Sequence, residues 1–361
     1  MKLDRKTAII IFLLALLGSS IGTFGIMEIR KGFGLNDDEA VVVNHISYEE
    51  LNEGDYATAI AKAYDSVVEI TSTVRTTNYF YGSSTGISKG SGVIISADGY
   101  IVTNEHVINN SEDVNVTAAD GTQYQAKIVG YDNRADLALL KIEAENLHFA
   151  NLADSDQLIL GQEAIVIGNP LGEGISCSNG IISALNKDVT ISNYSMNLIQ
   201  TNAAVNAGNS GGGLFNMNGD LIGIVNAKSS SNSLSSASIE GMGYAIPSNH
   251  VLEIITDIKE YGYVKNRATL GVSIYTVNNS YIQSNYNGLL ISAVFEGSGA
   301  DKAGIQAGDI IFEVNGNQIQ EYSDLTKVLD QCKVGDTARV GVFRNNKTMY
   351  FDVVLSEATI N

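Results

Sequence analysis

Short runs of β-branched and aliphatic residues, separated by glycine-rich turns, recur from about residue 90 to residue 246 and again beyond 267. This pattern constrains the fold more than any other feature, because apolar runs of four to seven residues between turn signals read as strands rather than helices. In the first stretch the runs are Val93–Ile95, Tyr100–Thr103, Gln125–Val129, Ala138–Ile142, Ala164–Ile167, Gly180–Ala184, Asn197–Thr201, Leu221–Ala227 and Gly243–Ile246. Ala97-Asp98-Gly99 supplies a hairpin turn between the first two. In a chain with 36 glycines against two prolines, this stretch implies all-β barrels or sandwiches. Helical spacing appears in Asp55–Asp65, at Ala57, Ile60, Ala61 and Tyr64, and again in Val251–Tyr261, which closes this unit. A second unit has strands at Leu270–Tyr275, Leu289–Val294, Ile310–Val314, Ala338–Phe343 and Met349–Leu355. Its helix, Ser323–Cys332, puts Leu325, Val328 and Leu329 on one face.

The N-terminus reads differently. Lys2, Arg5 and Lys6 precede an apolar run, Ala8–Met27, which as a helix spans roughly 30 Å, the thickness of a hydrocarbon core. The basic flank stays in the cytoplasm, which places the remainder outside. A cleaved signal peptide competes: Ala8–Leu17 has the length of its apolar core, and Gly18 and Ser20 fit a small-residue cleavage site. A mature N-terminus near Ile21 would favour that alternative. The net charge of −18 repels nucleic acid, whose phosphates need clustered Lys and Arg. Cys177 and Cys332 form no CxxC pair or other Cys/His ligand spacing, so nothing supports a structural zinc site; buried free thiols are expected, with a disulfide between the two units as the alternative. No metal or organic cofactor motif is present.

Acyl transfer from a peptide requires a nucleophile, a base, a group that orients the base and donors for the oxyanion. Of four histidines, His45 lies in an acidic tether and His148 and His250 have no suggestive surroundings, whereas His106 directly follows a hairpin strand. Asp136 opens the apolar segment Leu137–Leu140, where a buried carboxylate needs a partner such as an imidazole N–H. Asp132, among turn residues, is the rival acid. In Gly208-Asn209-Ser210-Gly211-Gly212 the glycines permit a sharp turn that aims successive N–H groups at one point. Ser210 is therefore the expected nucleophile, with the N–H groups of Gly208 and Ser210 as oxyanion donors.

The chain resembles the HtrA/Deg family of trypsin-like serine proteases with PDZ domains, over about residues 57–355. The resemblance is carried by Gly90–Ile95, Asp98–Val107, Ala135–Ile142, Gly168–Gly172, Gln200–Gly212 and Gly243–Ser248. It implies a mainly β chain: two six-stranded chymotrypsin-like barrels with a His106, Asp136, Ser210 triad between them, then a PDZ domain. The expected division is 1–7 cytoplasmic tail, 8–27 transmembrane signal-anchor, 28–55 acidic linker, 56–262 protease and 263–361 PDZ. Asn202 departs from a common acid, and Ala207 and Gly213 from common prolines, which concerns resting activity more than reaction type. The primary pocket is expected around Ala204, Asn209, Val225 and Ala227, with Ile199 and Ala203 nearby; without an acid there, it suits small or medium aliphatic residues. In the second unit, Leu270, Gly271 and Val272 match the loop that holds a peptide's terminal carboxylate, and Val272, Ile274, Leu325, Val328 and Leu329 are expected to line an apolar pocket. The resemblance thus implies an extracytoplasmic endopeptidase acting on unfolded polypeptides, regulated by C-terminal peptides at the PDZ domain, without cofactor and assembled as a trimer. A scaffold or chaperone-like binding protein is the competing reading. An esterase is disfavoured, because the serine motif is not Gly-x-Ser-x-Gly.

Overall fold

The computed structural model describes residues 54–78, 82–169, 174–191, 194–227, 241–276 and 287–358. The expected cytoplasmic tail and membrane span lie outside the described residues, as does all but the end of the acidic linker. Among the described residues no helix is long and apolar enough to cross a membrane.

A short helix α1 (Tyr56–Ala63) leads into β1 (Val67–Asn78), β2 (Gly82–Ile94) and β3 (Tyr100–Thr103). After a one-turn helix α2 (Glu105–Ile108) come β4 (Ser111–Thr117), β5 (Gln123–Asp132) and β6 (Leu137–Lys141). These six strands close into an antiparallel barrel in the order β1-β2-β3-β6-β5-β4. Alternate residues such as Val68, Ile70, Ile94, Ile101, Val116 and Leu140 fill its interior. The second barrel is built from β7 (Glu163–Gly168), β8 (Ser176–Ile191), β9 (Tyr194–Thr201), β10 (Gly213–Phe215), β11 (Leu221–Val225) and β12 (Gly243–Pro247), in the order β10-β11-β12-β9-β8-β7. Its core holds Ile182, Ile199, Leu214, Ile222 and Ala245. A third cluster joins the barrels, with Leu139, Ile165 and Phe215 against Val251, Ile254 and Ile258 of helix α3 (Ser248–Tyr261). That helix ends where Gly262, at φ 82°, adopts the left-handed cap that other residues resist.

The second unit contains β13 (Ala268–Thr269), β14 (Val272–Thr276), β15 (Leu289–Val294), α4 (Gly299–Ala303), β16 (Ile310–Val314), β17 (Asn317–Gln318), α5 (Tyr322–Leu329), β18 (Thr337–Arg344), β19 (Lys347–Val354) and β20 (Ser356–Glu357). Its main sheet runs β14-β15-β16-β18-β19, which leaves β14 at an edge. Leu270, Leu289, Ile311, Leu325, Val340 and Val353 make its core.

The apolar strands were legible in the sequence; the polar ones, and the extent of the strands, were not. β1 and β4 are polar on their outer faces and escaped detection as apolar runs, and β8 reaches sixteen residues where five were expected. Strand pairing, which satisfies every backbone group irrespective of side chain, extends them. The cysteines depart from expectation: Cys177 is exposed and Cys332 half-buried, and both are free, so the disulfide alternative is not formed.

Candidate active site

His106 sits on α2, directly after β3. Asp136 precedes β6, the neighbour of β3, and Thr103 pairs with Ala138 across the two strands. The sheet register therefore brings two residues thirty positions apart into contact. His106 Nδ1 lies 2.7 Å from Asp136 Oδ2, and the His106 backbone N–H donates to Oδ1 at 3.0 Å. Asn226 Nδ2 donates to the same Oδ2 at 2.7 Å, and Asn104 Nδ2 to the Asp136 carbonyl at 2.9 Å. Asp136 adopts φ 51°, a left-handed conformation unusual for a residue other than glycine, and these bonds hold it there. The carboxylate is buried, with 7% of its side chain exposed, and the imidazole is 21% exposed. The rival acid, Asp132, is engaged elsewhere: its carboxylate accepts from Ala135 N at 3.0 Å and pairs with Arg267.

Ser210 lies on the loop between β9 and β10. Asn209 N donates to Asn206 O at 3.0 Å, and Gly208 at the third turn position has φ 96°. That combination is a type II turn, which demands φ > 0 where only glycine is at ease. Among the described residues neither Gly208 N nor Ser210 N donates to a protein acceptor, so two N–H groups of the loop that carries Ser210 have their capacity unspent. Gly211, at φ 83°, packs so closely that a Cβ would strike Ser91 O and Thr103 Oγ1 and come within 3.1 Å of Asn104 N. The serine loop is thus pressed against the strand and turn that precede His106. Among the described residues no hydrogen bond joins Ser210 Oγ to the imidazole; such bonds often tighten only when substrate arrives.

The expected primary-pocket residues separate. Ala204 is exposed and Ala227 is buried. The Val225 side chain is enclosed in the second barrel, while its backbone exchanges hydrogen bonds with Gly211 and Gly212. Asn209 is buried, with Oδ1 lacking a partner. Asn202 uses its amide oxygen to accept from Ile181 N at 2.7 Å, a bond that needs no charge. Asn104, Asn226 and Ser91 were not singled out from the sequence. Asn226 had a signal: a polar amide closing the apolar run Leu221–Val225 has to find a buried partner.

In the second unit, Gly271 has φ 79°, and its N–H is taken by the Thr269 hydroxyl at 3.2 Å. Leu270, Leu325, Val328 and Leu329 belong to the core, and Val272 and Ile274 pack half-buried against it on the edge strand. The barrels and this unit meet through Arg267 with Asp132, Arg134 with Asp330, and an edge-on contact of Tyr194 with Tyr322 whose hydroxyls lie 3.3 Å apart. Burial pushes the Tyr194 hydroxyl well above the usual phenol range. A cleft of about 230 Å³ opens at this junction, lined by Tyr131, Arg134, Tyr194, Thr269, Leu325 and Leu329. It is not the serine site.

Residues 90–224 match the trypsin-like peptidase domain family, and residues 268–355 match the PDZ domain family. A serine endoprotease from Yersinia pestis superimposes with a TM-score of 0.55 at 30% identity, over 88% of this chain and 100% of that one. An HtrA-type protease, AlgW with tripeptide, gives 0.57 at 32% identity, over 85% and 98%. The chain belongs to the HtrA/Deg family. Curated members agree: the probable periplasmic serine endoprotease DegP-like of Marinomonas sp. is 42% identical over 272 residues, which is 74% of this chain and 57% of that protein. The periplasmic serine endoprotease DegP of Escherichia coli K12 is 40% identical over 279 residues, 75% and 58%. The chain therefore spans somewhat over half the length of these HtrA/Deg relatives.

Proposed function

We propose that this chain is a serine endopeptidase acting on unfolded or damaged proteins outside the cytoplasm. The observation that carries the reading is the 2.7 Å contact of His106 Nδ1 with a buried Asp136 carboxylate. It fixes the tautomer, so that Nε2 is left to take the proton of Ser210 as Oγ attacks the scissile carbonyl. Asp136 stabilises the imidazolium without itself being protonated. The N–H groups of Gly208 and Ser210 receive the oxyanion, His106 returns its proton to the leaving amine, and water then resolves the acyl-enzyme. Unfolded chains suit such a site, since only an extended strand can thread it.

The finer parts of this reading are proposals of the same kind. Cleavage follows small or medium aliphatic residues, because the Ala204 region offers no acid to pair Lys or Arg; preferential cleavage after Arg in a peptide library would refute this. The edge of β14 that no described strand pairs accepts a C-terminal peptide by strand addition, and its occupancy regulates the protease through the junction with the Asp132–Asp136 loop. Family resemblance supports a trimer, and the apolar Ala8–Met27 segment supports a membrane anchor. Digestion of casein tests the central claim: Ser210→Ala should abolish cleavage, a loss of about 10⁴–10⁶ in turnover, while folding and peptide binding persist. Undiminished digestion would leave the rival reading, a chaperone-like or scaffold protein.

A further inference from the structure

Ser91 is fully buried. Its hydroxyl donates to Gly208 O at 2.7 Å and accepts from Asn169 N at 2.7 Å. Its backbone N–H donates to Ser210 O at 2.8 Å, and its carbonyl accepts from Thr103 Oγ1 at 2.7 Å. The side chain of this one residue on β2 thus ties the serine loop to the segment after β7, while its backbone bonds Ser210 O and, through Thr103, the strand that leads to His106. We propose that Ser91 is a positioning residue of the oxyanion hole.

The argument rests on the peptidase reading and on the planarity of the peptide bond. Gly208 O and Asn209 N belong to one peptide group, which lies between the two candidate oxyanion donors in the chain. Ser91 Oγ pins its oxygen, and Asn206 O pins its nitrogen at 3.0 Å. A planar group held at both ends cannot rotate, so the N–H groups of Gly208 before it and Ser210 after it lose one of the peptide rotations that would otherwise turn them away. The nearby glycines would otherwise leave this loop many conformations, and Ala207 does not restrict φ as a proline would. Ser91 restores by a tertiary hydrogen bond the rigidity that the local sequence lacks. A buried serine serving only its own solvation would be satisfied by any acceptor. Here the hydroxyl bonds backbone groups of two separate loops, and one of them carries the nucleophile.

The test uses the full chain and an internally quenched peptide substrate, with active sites counted by burst titration so that turnover is read per folded site. Partial instability lowers the site count and not the turnover. Wild type, Ser91→Ala and Ser91→Thr are compared, with a peptide aldehyde whose hemiacetal oxygen occupies the oxyanion position. A whole oxyanion donor is worth roughly 10²–10³ in kcat, so two misaimed donors in Ser91→Ala should cost about 10- to 100-fold in kcat. KM should stay within about threefold, and aldehyde affinity should fall in step with kcat. Ser91→Thr, which keeps the hydroxyl, should recover most of the loss. The proposal is overturned by a Ser91→Ala protein whose kcat per site and aldehyde affinity match wild type, or by a loss that falls on KM alone. A wild type that does not hydrolyse the peptide, or a Ser210→Ala variant that does, overturns the peptidase reading instead.

Discussion

At the scale of single residues, the site depends on backbone conformations that side chains alone do not favour. Asp136 and Gly211 both lie at positive φ, and each is held by the other's surroundings: Asn104 bonds the Asp136 carbonyl and its backbone N abuts Gly211. Gly211→Ala should therefore destabilise the protein by about 1–3 kcal/mol and abolish turnover, since the new methyl meets Ser91 O and Thr103 Oγ1 as well as an unfavourable φ. Thermal unfolding and casein digestion check the two parts. Asn226→Ala removes a donor to a buried carboxylate, an interaction worth about 1.5–3 kcal/mol, so kcat should fall roughly ten- to hundredfold while KM holds. Steady-state kinetics on a peptide substrate read this directly.

Among the elements, the segment joining β5 to β6 carries the most consequence. It holds Asp132, Arg134 and Asp136 within five residues, and they face different partners. Asp136 reaches His106; Asp132 reaches Arg267 beyond α3; Arg134 reaches Asp330 just after α5. The Asp132 and Arg267 side chains are largely enclosed, so the pair is screened little by solvent. A double-mutant cycle of Asp132→Ala with Arg267→Ala should report a coupling of about 1–3 kcal/mol in thermal or denaturant unfolding. A coupling indistinguishable from zero would mean that the segment stands without the PDZ unit. α5 itself starts from a capping box between Glu321 and Asp324, which fixes the end of the helix that bears Tyr322 toward the barrel.

For the whole molecule, the junction makes the PDZ unit part of the environment of the loop that carries Asp136. Removing residues 263–361 takes away Arg267, Tyr322 and Asp330 together. Basal proteolysis of that shortened chain should differ from the full chain, and C-terminal peptides should no longer change it. A fluorogenic assay with and without peptide checks both statements, and unchanged rates in both would show that the units act independently.

Much of this was legible in the linear chain. The hairpin Val93–Thr103, the apolar β6 and β11 and the glycine-flanked Ser210 announce themselves by local chemistry, because turn geometry and strand burial are short-range demands. So do His106 and Asp136, each placed where a polar group begins or ends an apolar strand. What the linear chain did not announce are contacts between segments far apart along it. Ser91 beside Gly208, Asn226 against Asp136 and Arg267 across from Asp132 have no periodicity or spacing to betray them. Only barrel closure and the packing of the PDZ unit bring them into register, since a hydrogen bond acts over about 3 Å whatever the distance along the chain. The same holds for the contact itself between His106 and Asp136, which the strand register between β3 and β6 brings about.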